Sequence, residues 1–283
     1  MGFCVICNYT YKSTLLEGTM KFVVLTKAAV PLSTAIKIDP RTGTLVREGV
    51  PLSTNQWDRD AVEFALKLRD KYGGEVIAIS MAPPSGIPAL ESLIGMGVDK
   101  AILATDRVFA GADTWATSYV LAETIKKYVP DYTLILAGEE TIDSTTAHVG
   151  AQVASHLNIP YVYYVYDAEI AGNKVRVRRF LEDEGVDEFY EMELPALISV
   201  AKGTQMPREV SLLRKLNARS NIIQATNKEL GLDVECVGLK GSPTFVAAQT
   251  GATFPPRKKK IFQGEPREAV KMLVEELKKE GLL

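Results

Sequence analysis

Between residues 20 and 202 the chain alternates short apolar runs with longer segments whose apolar positions recur at helical spacing. Phe22-Val23-Val24-Leu25 is apolar at every position, as expected of a strand covered on both faces. Ala101 to Ala104 shares that character, and Val76 to Met81, Tyr132 to Ala137 and Ala196 to Val200 are each interrupted by a single hydroxyl residue, Ser80, Thr133 and Ser199. Between them, Asp58 to Tyr72 places Ala61, Val62, Ala65, Leu66 and Leu68 on one face and stops at Gly73-Gly74, predicting a helix. Ser85 to Met96, Asp113 to Tyr128 and Ser144 to Leu157 predict three more. Such alternation predicts right-handed βαβ units, hence an α/β fold with a Rossmann-like parallel sheet and helices on both faces. From Tyr161 the rhythm changes. Tyr161 to Tyr166, Lys174 to Phe180 and Glu188 to Leu194 read as strands with no helix between them, predicting an antiparallel edge. Ile36-Lys37-Ile38 and Thr44-Leu45-Val46 flank a turn-rich Asp39-Pro40-Arg41-Thr42-Gly43, the pattern of a hairpin. Beyond Gly203 the pattern becomes irregular until a final helix over Pro266 to Glu280, which predicts an extended C-terminal arm laid on a partner. The expected parts are therefore an extension over 1–19, an α/β domain over 20–202 and an arm over 203–283.

Composition excludes several classes. The 283 residues are 46% hydrophobic and 24% charged, enough to bury a substantial core. Lys plus Arg number 33 against 35 for Asp plus Glu, so no global field favours nucleic acid or an anionic membrane. No apolar run is long enough to span a bilayer. Three cysteines, Cys4, Cys7 and Cys236, are too few for a disulfide framework, which fits a reducing cytoplasm. Cys4 and Cys7 have CxxC spacing without the second pair that a zinc site needs. Met20 immediately precedes the first strand, so the segment before it reads as a non-native or disordered extension.

The candidate chemistry lies in Gly138 to Gly150. This segment joins the apolar run Leu134 to Ala137 to the periodic segment from Ala151, and carries hydroxyls at Ser144, Thr145 and Thr146. Unpaired N–H groups and a positive dipole end make a helix entrance a ready anion site. The same Asp, Ser and Thr residues also make an ordinary helix cap. In a parallel sheet, ligands bind at the carboxyl ends of the strands. Lys27 onward, Met81-Ala82-Pro83 and Phe109 to Thr114 fall there with Gly138 to Gly150, which favours a nucleotide. Neither GxGxxG nor a Walker A motif occurs, which argues against a usual dinucleotide-binding domain and a P-loop NTPase. A stand-alone adenine-nucleotide sensor or hydrolase is the alternative of another class.

Over residues 20–283 the chain resembles the beta subunit of electron transfer flavoproteins. Lys37 to Pro51, Phe109 to Ser118, Gly138 to Gly150 and Gly238-Leu239-Lys240-Gly241-Ser242-Pro243-Thr244 carry the resemblance. Phe109 to Ser118 and Gly238 to Thr244 look like the branch that bifurcates electrons. The resemblance implies a heterodimer with an alpha subunit that holds one FAD. In the bifurcating type the beta subunit holds the ADP half of a second FAD, which NADH reduces by hydride transfer; in the other type the same site holds AMP. The implied nucleotide-site residues are Leu25, Asn55, Asp58, Met81, Gly138, Glu139, Thr141, Ile142, Asp143, Ser144, Thr145, Thr146, Ala147, His148 and Val149. Gly111, Ala112, Asp113 and Thr114 are the implied wall of the flavin site. Asn55, Asp58 and Asp113 also read as helix caps, and Met81 as core. Pro207, Arg208 and Leu212 match a loop that anchors this subunit on a flavin-containing dehydrogenase or quinone oxidoreductase, with Leu212 as anchor. The alternative there is a helix start with a buried leucine. Ferredoxin or flavodoxin are candidate low-potential acceptors, and the implied location is cytoplasmic, with association to a membrane-bound quinone oxidoreductase as a variant. This chain departs from its relatives at Ser144, where glycine is common, at Thr145, where a carboxylate is common, and at Gln56, Ala82 and His148. Loss of the glycine removes freedom for positive φ at 144.

Overall fold

The computed structural model of the chain describes residues 19–30, 52–181, 184–245 and 259–283. The expected hairpin around 36–46, the motif from Lys37 to Pro51 and residues 1–18 lie outside the described residues. In chain order the first elements are β1 (Lys21–Leu25), β2 (Ala28–Ala29), β3 (Ser53–Thr54), α1 (Gln56–Tyr72), β4 (Glu75–Met81), α2 (Ile87–Met96) and β5 (Lys100–Ala104). Then come α3 (Thr114–Tyr128), β6 (Leu134–Gly138), α4 (Val149–Leu157), β7 (Tyr161–Ala171), β8 (Lys174–Leu181), β9 (Val186–Glu193) and β10 (Ala196–Val200). After these come α5 (Leu212–Leu216), β11 (Ile222–Ala225), α6 (Asn227–Leu230) and α7 (Pro266–Lys279).

One sheet of nine strands organises the fold, in the order β11-β5-β4-β1-β6-β10-β7-β8-β9. The strands from β11 to β7 are parallel; β8 and β9 pair antiparallel, as the change of rhythm after Tyr161 predicts. Alternation along β1 explains its continuous apolar sequence. Phe22 and Val24 enter the core layer beneath α1 and α2, whereas Val23 and Leu25 enter the layer beneath α3 and α4. Each such fully buried large side chain contributes about 1.5–3 kcal/mol of transfer free energy.

Two expectations are corrected. The segment after Gly203 is not irregular throughout, because β11 returns to the sheet and pairs parallel with β5 as an edge strand. It is short and half-exposed, so it carries none of the run that marks the central strands. The helix expected from Ser144 begins only at Val149. The intervening backbone is left-handed at Thr145 (φ 49°) and Ala147 (φ 54°), which no α-helix accommodates.

A crevice at the switch point and a fastened loop

The strand order reverses direction at β1. From β1 the chain moves to β4 and β5 on one side, then to β6 and β10 on the other, so the switch point lies between β1 and β6. At the carboxyl end of β1, Lys27 donates from Nζ to Asp143 Oδ1 at 2.6 Å and to Ser144 Oγ at 3.1 Å. Its backbone N–H donates to Asp58 Oδ2 at 2.7 Å. Lys27, expected only as the start of a strand-end segment, is thus tied by its side chain to the loop after β6.

Asp58 stands in the first turn of α1 and is 5% exposed. Burial pushes its carboxyl up to about 7, against the lowering effects of the Asn55 and Lys27 hydrogen bonds. Gly138 is required by space: a Cβ there would lie 2.5 Å from Asp58 Oδ1 and 2.9 Å from Asp58 N. Asn55 precedes α1, yet its side chain does not cap the helix. It crosses to the loop after β6, donating to the Glu140 carbonyl at 2.9 Å and accepting from Ile142 N–H at 3.0 Å. Glu139 and Glu140 turn toward the end of β10. Lys202 N–H donates to Glu139 Oε2 at 3.1 Å, and its Nζ lies 3.3 and 3.4 Å from the two carboxylates.

The loop then tightens. Thr145 N–H donates to the Thr141 carbonyl at 2.8 Å, and the Thr141 and Ser144 hydroxyls are 2.7 Å apart. The positive φ angles fall at Thr145 and Ala147, not at Ser144, so the missing glycine is not felt where the sequence comparison placed it. Tyr163 on β7 holds this geometry: its hydroxyl donates to the Ala147 carbonyl at 2.8 Å and accepts from Ala151 N–H at 3.0 Å. Left-handed Ala147 is followed by right-handed His148 (φ −89°, ψ −32°), an alternation of hand of the kind from which anion nests are built. Among the described residues, the N–H groups of Thr146, Ala147 and His148 donate to no acceptor. No side chain caps α4, so Asp143, Ser144, Thr145 and Thr146 do not serve as its cap. His148 is exposed at the helix entrance, with Val149 the first helical residue. Leu25 and Met81 pack in the core beneath α3 and α4.

A second loop stands beside this one. Asp113 caps α3, accepting from Ala116 N–H at 3.1 Å with one oxygen. Its other oxygen accepts from Thr244 N–H and hydroxyl at 3.0 and 2.7 Å. Burial alone would raise this carboxyl, but the Thr244 and Ala116 bonds hold it below the ordinary carboxylate range. Asp113 N–H donates to Ser242 Oγ at 2.8 Å, and Leu239 N–H to the Ala110 carbonyl at 3.0 Å. Gly238 is left-handed (φ 58°), and a Cβ there would lie 2.0 Å from the Val108 carbonyl oxygen. Gly111 is also left-handed (φ 76°), letting Ala112 and Asp113 turn into α3. The two distant motifs, Phe109 to Ser118 and Gly238 to Thr244, thus form one latched unit. Gln152 on α4 donates to Thr114 Oγ1 at 3.3 Å, tying this unit to the first loop.

The segment with Pro207, Arg208 and Leu212 runs across α1 and α2. Arg208 is fastened inward, with Nε 2.9 Å from Glu63 Oε2 and Nη2 3.1 Å from Glu63 Oε1. Pro207 lines a cavity of about 600 Å³ with Trp57, Arg59, Met96 and Gln205. Leu212 is 69% exposed at the start of α5, beside equally exposed Leu213 and Leu216. The alternative of a buried leucine is therefore corrected: α5 buries none of its residues.

Comparison with known proteins decides the family. The model of the electron transfer flavoprotein domain matches residues 42–229. The chain belongs to the electron transfer flavoprotein family, among its beta subunits. It is 43% identical over 260 residues to the "Electron transfer flavoprotein subunit beta" of Thermoanaerobacterium thermosaccharolyticum, covering 91% of this chain and 98% of that one. It is 44% identical over 229 residues to the "Caffeyl-CoA reductase-Etf complex subunit CarD" of Acetobacterium woodii, covering 80% and 86%. "Protein FixA" of Azotobacter vinelandii is 38% identical over 253 residues, covering 87% and 85%. Beta subunits of electron transfer flavoproteins pair with an alpha subunit. In this beta subunit α7 buries none of its residues, leaving Val270, Met272 and Leu273 exposed along it. Among the described residues no helix is long and apolar enough to cross a membrane.

Proposed function

We propose that this beta subunit serves an electron-bifurcating flavoprotein, holding the ADP half of a FAD in the switch-point crevice and receiving electrons from NADH. The observation that carries this reading is the pair of loops: a helix entrance with no side-chain cap and three N–H groups that have no acceptor among the described residues, and beside it a second loop latched by Gly238 to Thr244. An AMP needs only the first loop. The second supplies a wall where a flavin would continue.

The residues fit a diphosphate. The N–H groups of Thr146, Ala147 and His148, with the hydroxyls of Thr145 and Thr146, would meet its oxygens at the positive end of α4. Lys27 holds the Asp143 carboxylate at 2.6 Å, which offsets a negative charge beside the nucleotide. Asp58, raised to about 7, is partly neutral at physiological pH and adds less repulsion than an ordinary carboxylate would. Lys202 draws Glu139 and Glu140 toward β10. FAD, when bound, supplies hydride acceptance and the parting of two electrons; the chain supplies position and electrostatics.

The name of the Acetobacterium relative joins it to a reductase of a CoA ester. That supports a dehydrogenase or reductase acting on a CoA ester as this chain's partner, with a quinone oxidoreductase as the variant, met by the loop with Pro207, Arg208 and exposed Leu212. Ferredoxin or flavodoxin would take the low-potential electron, in the cytoplasm or at a membrane-bound quinone oxidoreductase. The deciding experiment co-expresses the chain with its alpha subunit, releases the nucleotides and counts them. Two FAD per heterodimer and fast reduction by NADH are expected, whereas AMP at one equivalent overturns the bifurcating assignment.

A further inference from the structure

The loop from Gly203 to Leu216 presents three exposed leucines while lacking any strand of its own, so something else must hold it still. A flexible loop would lose ordering entropy on docking, whereas a fixed one has already been ordered. Its attachments converge on α1 and on the end of α2. Gly203 N–H donates to Asp60 Oδ2 at 2.6 Å, and Lys67 Nζ to Gln205 Oε1 at 2.8 Å. Ser211 N–H donates to the Gly95 carbonyl at 3.0 Å, and Arg214 Nε to the Ile94 carbonyl at 3.1 Å. Gly95 admits this approach because it lacks a Cβ, which would lie 2.5 Å from Val210 Cγ1.

At the centre of these attachments stands Glu63, only 4% exposed. It accepts from Arg208 N–H at 3.0 Å, from Nε at 2.9 Å and from Nη2 at 3.1 Å, so backbone and side chain of one residue are locked together. Arg208 Nη2 also reaches Asp70 Oδ2 at 3.0 Å, about two turns further along α1. A planar guanidinium held on two edges fixes orientation as well as distance. Among the described residues, the hydrogen bonds that Glu63 accepts with its side chain all come from Arg208. From the loop it is faced by Arg208, whose guanidinium without Glu63 would keep only the half-exposed Asp70 on α1 and lose its bidentate partner.

We infer that Glu63 is the positioning residue of the docking loop: its buried fork with Arg208 sets the loop on α1 so that Leu212, Leu213 and Leu216 meet the partner together. This rests on the reading of the loop as the docking element. Glu63→Gln keeps the volume but turns an NH2 toward the guanidinium donors, so the fork cannot form.

The test uses the heterodimer with its alpha subunit, and a purified acyl-CoA dehydrogenase as the electron-transfer probe. In Glu63→Gln, amide exchange over residues 204–216 is expected to quicken by about tenfold or more while the central strands keep their protection. KM for the dehydrogenase should rise by about tenfold, with kcat within about twofold and nucleotide content unchanged. Arg208→Lys, which keeps the charge and loses the fork, should behave the same way and covers the case in which Glu63→Gln fails to fold. Leu212→Ala separates the two readings. If Leu212→Ala raises KM and neither fork variant does, Glu63 has no positioning role and the inference falls while docking stands. If Leu212→Ala leaves KM unchanged, the docking reading falls and takes the inference with it.

Discussion

Asp58 does three jobs with one carboxyl: it takes the Lys27 N–H, it meets the Asn55 side chain, and it fills the space left by the missing Cβ of Gly138. Its burial has a thermodynamic consequence. The folded value of about 7 lies above the ordinary 3.8, so between them the folded state keeps a proton that the unfolded chain releases. Its contribution to stability is fullest below the unfolded value and is lost as pH rises through the folded one. Asp58→Asn, similar in shape and without that proton, should therefore gain on the wild type in urea midpoint as pH rises from about 5 to about 8. An unchanged difference across that range would show that Asp58 titrates normally. Tyr163 offers a second test at this scale. Tyr163→Phe strands the Ala147 carbonyl and the Ala151 N–H, which should cost about 1–3 kcal/mol and loosen the loop that carries the unpartnered amides. In the heterodimer, denaturant unfolding reads the first effect and nucleotide retention on dialysis the second.

Among the elements, the latch between the Gly111 loop and Gly238 to Thr244 admits a direct challenge. Gly238→Ala forces a Cβ toward the Val108 carbonyl and strains a left-handed backbone, so it should destabilise by several kcal/mol or unlatch the segment. Unlatching would appear as fast amide exchange at Asp113 and Leu239, with β1 unaffected. The central strands were legible from sequence because burial on both faces leaves apolar runs that are continuous or broken once, as in β1, β6 and β10. β11 was not, because an edge strand of four residues with two exposed side chains carries no such run. The entrance of α4 misled for a different reason. Asp143, Ser144, Thr145 and Thr146 are good caps by residue type, but the two left-handed residues that delay the helix are Thr and Ala, which do not announce that conformation. The pairings of Lys27 and Glu63 were invisible because their partners stand 116 and 145 residues away in the chain.

For the whole molecule, α7 and the sheet contribute differently to stability. Since α7 buries no residue, removing residues 259–283 should leave the melting temperature of the isolated chain nearly unchanged, and calorimetry checks this. The same truncation should abolish assembly with the alpha subunit if the apolar stripe of α7 lies on that partner, which size-exclusion chromatography of the co-expressed pair reads out. Because the alpha subunit is expected to complete the crevice, FAD titrated into the isolated chain should bind weakly; stoichiometric tight binding would contradict that expectation.

The place of β10 in the sheet also sets an order of events. β10 is made after β7, β8 and β9, yet it lies between β6 and β7. The meander of β7 to β9 can pair within itself as soon as it is made, because its partners are near in sequence. It has no way to join the sheet until β10 has threaded into the gap beside β6. A nascent chain therefore carries two preformed halves that wait for a five-residue strand, Ala196-Leu197-Ile198-Ser199-Val200, to join them. The end of that strand leads directly into Lys202, Gly203 and the loop with Arg208, so the surface offered to partners is set in place only when the two halves have closed.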